Sequence, residues 1–421
     1  MPLTLRQQRD RISLYWLFFL FALLPLTTVF GHRGVAPWLL LASLPAFARG
    51  DFWQSAFGQL LDTPDLRRPF FAGFVAILIF CVWIFLSGFW SPQGEPSLML
   101  NVLAPVLVGG SVVWFAMNLT GVWAYLLSYA FVLAVAGGAG VLAVEGLTGG
   151  FLRGLLPPDE KGPQGVRDAI ALGRGVTALA PAVFSAAALA AMLKGKRAGF
   201  AVLAIGFLAA LTNDIAANAT ALIVGSGVVC LALIAPRAAM AGCGCVLLAL
   251  LFGAPLMAFL PVEAIFERFG GTVPPSWLHR VAVWQSVAAH IPQVMPFGAG
   301  ADYARVWKET APMIAVPGAA APLSLMPTHP HNVFLQIWLE LGLVGVLSMA
   351  AFVFYGMRAL TQAKVRNGVA VAMCGALAAI AVSMFVEGSL WQVWRLAAMA
   401  LAAMGAALVY ALYRLRGEPR S

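Results

Sequence analysis

Long apolar runs recur along the whole chain and alternate with connections rich in proline, glycine and charged residues. A run of about 20 apolar residues is long enough to cross the hydrocarbon core of a bilayer as a helix. Backbone groups in lipid must be hydrogen-bonded internally, and these runs are too long and too continuous for barrel strands. The pattern therefore predicts an all-α polytopic membrane protein with about 12 transmembrane helices.

Twelve spans can be placed along the sequence, and the second and seventh of them are short. They cover residues 13–31, 34–48, 69–90, 97–117, 121–144, 175–193, 198–212, 215–235, 238–260, 333–356, 368–386 and 395–413. This placement divides the chain into three parts. Residues 1–260 hold transmembrane helices 1–9 with a short loop near 145–174, residues 261–332 form a large loop with short helices, and residues 333–421 hold helices 10–12 and a tail.

The composition agrees with this class of protein. Hydrophobic residues make up 61% of the chain and charged residues only 10%, against roughly 25% charged in soluble proteins. The net charge of +9 needs no nucleic-acid partner, because membrane proteins carry surplus Lys and Arg in their cytoplasmic loops. The first apolar run is longer than a signal-peptide core, so no cleavable signal is expected. The five cysteines lie inside apolar runs and indicate neither disulfides nor a metal site.

The distribution of charge predicts which connections face the cytoplasm. With the N-terminus inside, 16 of the 26 Lys and Arg residues fall in cytoplasmic connections, but only 5 of the 17 Asp and Glu residues do. The short loop "KGKR" at 194–197 shows this bias most clearly. Both termini are therefore predicted to be cytoplasmic and the two long loops to lie outside. The five histidines then lie on the outer side as well: His32, His279, His290, His329 and His331.

The large loop contains a predicted amphipathic helix with the sequence "SWLHRVAVWQSVAAH". Its apolar stripe, at helical spacing, consists of Trp277, Val281, Trp284 and Ala288. Ser276 is the expected N-cap, and a helix with two tryptophans suits a membrane–water interface. Arg280 flanks the stripe. It is either an interfacial arginine or a clamp for phosphate, whose oxygens a guanidinium binds two at a time.

The loop ends in "MPTHPHNVFLQIWLELGLVG", where two histidines precede an apolar helix. Pro330 suits the first turn of that helix, which places His331 there too. The positive end of the helix disfavours imidazolium, so His331 is expected to be neutral and able to accept a proton near a bound phosphate. Three simpler roles compete with this one: capping of the loop, metal binding by His329 and His331, and an interfacial position with no partner.

The stretch "HPHNVFLQIWLELGLVG" resembles the O-antigen ligase and polymerase superfamily of bacterial membrane glycosyltransferases. In that superfamily a His-Asn pair opens a helix and a Glu-x-Gly follows. The chain has His331-Asn332, Glu340 and Gly342 at those places, and Arg280, Trp284, Gly298 and Gly300 match the motif upstream. "GRGVTALAP" resembles the family's entry to the span after the first outer loop, and "FVEGSLWQVWR" its Glu-bearing loop before the last span. The similarity extends over roughly residues 165–400 and is specific around 280–345.

This resemblance implies a GT-C-like glycosyltransferase of the bacterial inner membrane. Such enzymes move a glycan from an undecaprenyl diphosphate carrier to an acceptor hydroxyl on the periplasmic side, with inversion and without a metal ion or other cofactor. The resemblance favours an O-antigen ligase acting on lipid A-core, and a repeat-unit polymerase with a growing glycan as acceptor is the alternative. By this analogy His331 activates the acceptor, Arg280 and Arg174 hold the diphosphate, and His329 and Asn332 contact substrate.

The chain departs from the family at the outer end of the seventh span. The family commonly has a Ser/Thr-Arg pair there, whereas this chain has Asn213 and Asp214. A carboxylate repels a diphosphate, so another cation is expected to substitute, or the donor is held differently. The candidate substitutes are Arg167, Arg268, Arg305 and Lys308. Asp214 could instead orient an arginine or His331, or simply cap the loop.

A transporter of lipid-linked glycans is the alternative from another class. Transporters usually place charged groups or broken helices near the middle of the membrane. The central parts of the predicted spans are nearly free of charge, and the cations outside the cytoplasmic connections gather in the outer loops. This distribution favours chemistry at the membrane surface over translocation.

Overall fold

A computed structural model describes residues 5–48, 64–155, 164–213, 215–363 and 367–417. Twelve of the described helices correspond to the twelve predicted spans. They are α1 Leu5–Thr27, α2 Val35–Phe47, α3 Pro64–Ser87, α4 Leu100–Met117, α5 Gly121–Thr148, α6 Gln164–Lys194, α7 Lys196–Leu211, α8 Ala216–Ile234, α9 Pro236–Gly253, α14 Gly342–Gln362, α15 Asn367–Val386 and α16 Val393–Leu415. The all-α polytopic membrane fold predicted from the sequence is confirmed.

Among the described residues, ten apolar helical runs are long enough to cross a membrane. The first run, Arg11–Phe47, joins two of the predicted spans across a kink at Gly31, where φ is 68°. A Cβ at Gly31 would lie 2.3 Å from the carbonyl oxygen of Ala171, so only glycine lets α1 and α2 fold against α6. The other difference is α7, which has 16 residues and is shorter than a full span.

The loop predicted near 145–174 is shorter than expected. Helix α5 continues through Thr148 and ends at Gly149, whose φ of 68° stops the helix, and α6 already begins at Gln164. The buried Glu145 side chain accepts backbone N–H groups just beyond the end of α5. Both helices therefore extend beyond the apolar runs from which the spans were placed.

The large loop is folded into short elements. They are α10 Val262–Phe269, α11 Pro275–Val294, α12 Tyr303–Thr310 and an antiparallel pair of strands, β1 Met313–Ile314 and β2 Leu323–Ser324. Helix α11 forms where the amphipathic helix was predicted, but its buried face differs from the predicted stripe. Leu278, Ala282 and Val287 are buried while Trp277 and Val281 are half-buried, and Ser276 is not the N-cap. Pro274 holds that position, with Pro275 in the first turn, and Ser276 is exposed.

The two largest apolar cores among the described residues organise the fold. The larger core contains buried residues of α1, α2, α4–α8, α15 and α16. The second core joins α3, α9, α11 and α14 with the segment just before α14. Trp284 on α11 belongs to this second core and is 8% exposed, so it packs inside the protein rather than at a membrane surface. The charged side chains described below come from helices of both cores.

Candidate functional site

The two histidines near residue 330 lie directly before a short helix, α13 Val333–Gln336. Asn332 is its N-cap, because its side-chain oxygen accepts the N–H groups of Phe334 (3.0 Å) and Leu335 (3.1 Å). The prediction that Pro330 and His331 occupy the first turn is therefore wrong. Asn332 is fully buried and its side chain serves the helix, which also argues against the predicted contact between Asn332 and substrate.

His331 has a left-handed backbone, with a φ of 56°. Such a conformation is uncommon for residues other than glycine, and it is often found at functional sites. Its N–H donates to Nδ1 of His329 at 3.2 Å, and the two ring centroids are 4.3 Å apart. Trp284 donates its indole N–H to the carbonyl of Pro330 at 3.1 Å. These two hydrogen bonds, one at Pro330 and one between His331 and His329, hold the histidine segment in place.

Burial and nearby positive charge keep both histidines neutral. Burial lowers the pKa of His331 to about 3, and the guanidinium of Arg280 contributes the largest charge effect in the same direction. Burial also holds the pKa of His329 well below its usual value, and the charges of His331 and of nearby arginines lower it further. The neutral state predicted for His331 therefore results from desolvation and arginine charges, rather than from a place in the first turn of a helix.

Three of the predicted arginines have side chains close enough to act on these histidines. Arg280 on α11 is half-buried, lies 5.8 Å from the centre of the Trp277 ring, and acts on His331. Arg174 on α6 is half-buried and acts on both histidines. Arg305 acts on His329. Arginines of α6, α11 and α12 therefore act electrostatically on the histidine pair.

Arg305 is held by Asp302, whose Oδ2 is 2.6 Å from its Nε, and its side chain is 53% exposed. Arg268 lies exposed on α10 with its guanidinium 5.8 Å from the Phe269 ring, and Lys308 lies exposed on α12. In the described part of the chain, neither Arg268 nor Lys308 is among the groups that shift the pKa of the histidines.

Of the two residues at which the chain departs from the family motif, at the end of the seventh span, the structure describes one. Asp214 lies outside the described residues. Its neighbour Asn213 is buried and donates to the carbonyls of Leu142 (3.0 Å) and Ala209 (2.8 Å). Asn213 therefore fastens the end of α7 to α5.

Sequence reasoning assigned no site role to Arg395, which is only 5% exposed. Its guanidinium donates to the side chains of Ser383 and Gln392 and lies 3.7 Å from Oε2 of Glu387. It also stacks over the Trp394 ring at 4.4 Å. Arg395 acts electrostatically on His329, His331 and Arg174, so it is part of the same cluster. The motif "FVEGSLWQVWR" contained the signal, an acid and an arginine on either side of one short connection.

A fully buried carboxyl group, that of Glu340, joins the segments around the site. It accepts the N–H groups of Asp302 (3.1 Å) and Ala304 (3.3 Å), the amide of Gln336 (3.2 Å) and the indole of Trp391 (2.9 Å). These partners belong to the start of α12, to α13 and to the connection between α15 and α16. Glu340 therefore fixes these three segments relative to one another.

The motif glycines are needed where the chain passes close to Glu340. A π turn, Ile337–Leu341, follows α13 and ends at Gly342, whose φ is 58°. A Cβ at Gly342 would lie 2.3 Å from the carbonyl oxygen of Pro296, and one at Gly298 would lie 2.4 Å from that of Glu340. The Glu-x-Gly and Gly-x-Gly motifs are thus two halves of one backbone contact.

Metal binding by the two histidines was one alternative left open by the sequence. Within the described ranges, no three His, Cys, Asp or Glu residues are grouped as ligands for a metal ion. The arginines that act on the histidine pair can bind an anion, since a guanidinium binds phosphate oxygens two at a time.

Comparison with known proteins supports the family resemblance. Residues 182–350 match the family model described as O-Antigen ligase. Similar curated proteins are provisionally named polysaccharide ligases: one from Rickettsia conorii is 29% identical over 133 residues, and one from Rickettsia prowazekii is 28% identical over 132 residues. The matched segment is 31% of this chain and 31% and 32% of those proteins, so the chain matches about a third of their length.

Proposed function

We propose that this multi-pass membrane protein is a glycosyltransferase that moves a glycan from undecaprenyl diphosphate to an acceptor hydroxyl, because residues 182–350 match the family model described as O-Antigen ligase. The observation that carries the proposal is the neutral His331 beside Arg280, with Arg174 and Arg395 acting on it from two other helices. A proton acceptor beside several guanidinium groups suits a reaction whose leaving group is a diphosphate.

His331 acts as the general base in this proposal. Its free ring nitrogen accepts the proton of the acceptor hydroxyl as the hydroxyl oxygen forms a bond to the anomeric carbon. The bond from that carbon to the diphosphate oxygen breaks, and the electron pair leaves with the undecaprenyl diphosphate. Attack from the side opposite the leaving group inverts the anomeric carbon. All of these steps use side chains of this chain and require no further reactant.

The donor itself adjusts the strength of the base. A pKa of about 3 makes His331 a weak proton acceptor in the free protein. A diphosphate brings negative charge into the cluster, offsets the arginines and raises the pKa of His331. The base therefore becomes stronger when the donor is bound, which couples proton transfer to the presence of the leaving group.

Arg280 and Arg174 hold the diphosphate in this proposal. Guanidinium groups in a partly desolvated site stabilise the charge that grows on a leaving phosphate. Arg305 has an exposed side chain, and we assign it to the glycan-bearing side of the carrier. It is a predicted substitute cation that acts on the histidine pair, through His329. His329 fixes the backbone of His331 through its Nδ1. Arg268, Lys308 and Asp214 receive no role at the donor.

The same proposal sets the orientation in the bacterial inner membrane. Short basic connections such as residues 194–197 face the cytoplasm, together with both termini. The large loop, residues 261–332, then lies in the periplasm between the transmembrane parts 1–260 and 333–421. Lipid A-core is the proposed acceptor, because the matched family is described as O-Antigen ligase.

The proposal is tested with the full chain in lipid nanodiscs, supplied with undecaprenyl-diphosphate-linked glycan and lipid A-core in the presence of EDTA. Glycan joined to lipid A-core, with release of undecaprenyl diphosphate, is the expected product. Longer glycan on the carrier, formed without lipid A-core, would instead identify a polymerase. In sealed vesicles that contain the same protein, movement of the donor across the bilayer without either product would contradict the proposal and favour a transporter.

A further inference from the structure

Glu387 lies in the connection between α15 and α16, is 9% exposed and faces the buried Arg395. One guanidinium nitrogen, Nη2, is 3.7 Å from its Oε2 and donates to its backbone carbonyl at 3.2 Å. The carboxylate distance is longer than that of a direct charged hydrogen bond. The side chain of Glu387 therefore serves Arg395 mainly as a counter-charge.

Two further arginines lie around the same carboxylate. Trp284, one helical turn after Arg280, packs its ring 5.2 Å from the ring of Phe385, two residues before Glu387. Accordingly, the negative charge of Glu387 opposes the effect of burial on the pKa of Arg280. Helix α11, which carries Arg280, thus packs next to the connection that holds Glu387.

On the α6 side, Thr177 lies one turn after Arg174. Thr177 lines a small cleft together with Ser383 and Arg395. The charge of Glu387 also acts on the Arg174 guanidinium. A single carboxylate therefore stands among three arginines that come from three different helices.

The connection that holds Glu387 is fixed to the histidine segment. Its backbone N–H at Leu390 donates to the side chain of Gln336 at 2.9 Å, and Trp391 donates to Glu340 at 2.9 Å. A Cβ at Gly388 would lie 2.8 Å from a methyl group of Val333, so the backbone passes directly against the start of α13. Glu387 cannot move far from the cluster without breaking these contacts.

We infer that Glu387 is a built-in counterion of the diphosphate site, a positioning residue that keeps the three arginines together while no diphosphate is bound. Like charges in a partly desolvated site repel one another, and an unpaired buried charge is costly. Once a diphosphate is bound, the same carboxylate repels it and favours release of the undecaprenyl diphosphate product. This inference rests on the proposed function and predicts that Glu387 limits the affinity for the carrier.

Glu387→Gln separates this role from a purely structural one by the sign of its effect. The amide keeps the size and the carbonyl oxygen of the side chain but removes its charge. The purified full chain in nanodiscs should bind undecaprenyl diphosphate about tenfold more tightly than the wild type, and the KM for the lipid-linked donor should fall. A structural role predicts equal or weaker binding. Glu387→Asp keeps the charge and should show no gain in affinity.

A second comparison covers the case in which Glu387→Gln does not fold. In an Arg395→Gln background, removal of the Glu387 charge leaves no unpaired arginine at that position. The double variant should bind undecaprenyl diphosphate more tightly than Arg395→Gln alone, and equal or weaker binding would overturn the counterion role. If the wild type transfers glycan but neither comparison shows a gain, only this inference fails. A wild type that neither binds the carrier nor transfers glycan overturns the proposed function as well.

Discussion

The backbone N–H of His331 donates to the Nδ1 atom of His329 at 3.2 Å, so the first histidine fixes the backbone of the second. Only a neutral His329 has a lone pair free at this nitrogen, and burial keeps its pKa well below the usual value. This bond also supports the left-handed conformation of His331. His331 is thus the residue proposed to react, and His329 is the residue that positions it.

The first prediction concerns this positioning role. His329→Ala removes the acceptor and should lower kcat for glycan transfer by about 10- to 100-fold, because a misplaced base loses alignment with the hydroxyl. The KM for the donor should change much less. His329→Asn, which offers a side-chain oxygen near the position of Nδ1, should recover part of the lost activity. Equal loss in kcat for His329→Asn and His329→Ala would contradict the hydrogen-bonding role.

The second prediction concerns pH. In the free protein the pKa of His331 is about 3, so its imidazole stays neutral from pH 5 to pH 8. The acid side of the kcat/KM profile should therefore show no loss from His331 in this range, since that profile reports the free enzyme. The kcat profile reports the donor complex, in which the diphosphate raises the pKa of His331. Its acid limb should lie at higher pH, and identical acid limbs in both profiles would argue against this coupling.

The third prediction compares two arginines of the large loop. Arg280→Ala removes a half-buried guanidinium that acts on His331 and should lower kcat/KM by about 100- to 1,000-fold, because the leaving group loses a fixed positive charge. Arg268→Ala is the matched control. It removes an exposed arginine on α10 and should stay within about twofold of the wild type. A larger effect of Arg268→Ala than of Arg280→Ala would show that the donor is held elsewhere.

The fourth prediction concerns the contact between the two glycine motifs. Gly342→Ala places a methyl group 2.3 Å from the carbonyl oxygen of Pro296 at a residue whose φ is 58°. The strain should lower the melting temperature by several degrees and reduce transfer, because the segment after α11 is displaced. Gly356→Ala, also on α14, has no atom within 4 Å of the added Cβ. It should leave the melting temperature unchanged or raise it slightly.

The helices could be predicted from the sequence because lipid requires internally bonded backbone and each span needs a long apolar run. The start of α13 was predicted less well. The helix signal of Pro330 competed with that of Asn332, and the side-chain oxygen of Asn332 satisfies two N–H groups that a proline cannot. The local sequence did not show which of these two residues begins the helix.

The members of the site were only partly predictable. His331 and Arg280 stood out because each combines a reactive group with a distinctive neighbouring pattern. Arg395 lies 115 residues beyond Arg280 in the sequence, at the start of an apolar span, and its partner Glu387 lies just before that span. Their approach to the histidines depends on how α11 and α16 pack, and no single stretch of sequence records that packing.

The most direct test of the account is glycan transfer by His331→Ala, measured beside carrier binding in the same preparation. The variant should bind undecaprenyl diphosphate with near wild-type affinity, because the arginines remain, but should transfer glycan at least about 1,000-fold more slowly. His290→Gln is the control, since His290 stacks on Tyr303 and Trp307 within the same large loop. It should keep wild-type transfer. Full transfer by His331→Ala would contradict the role of this histidine as the base.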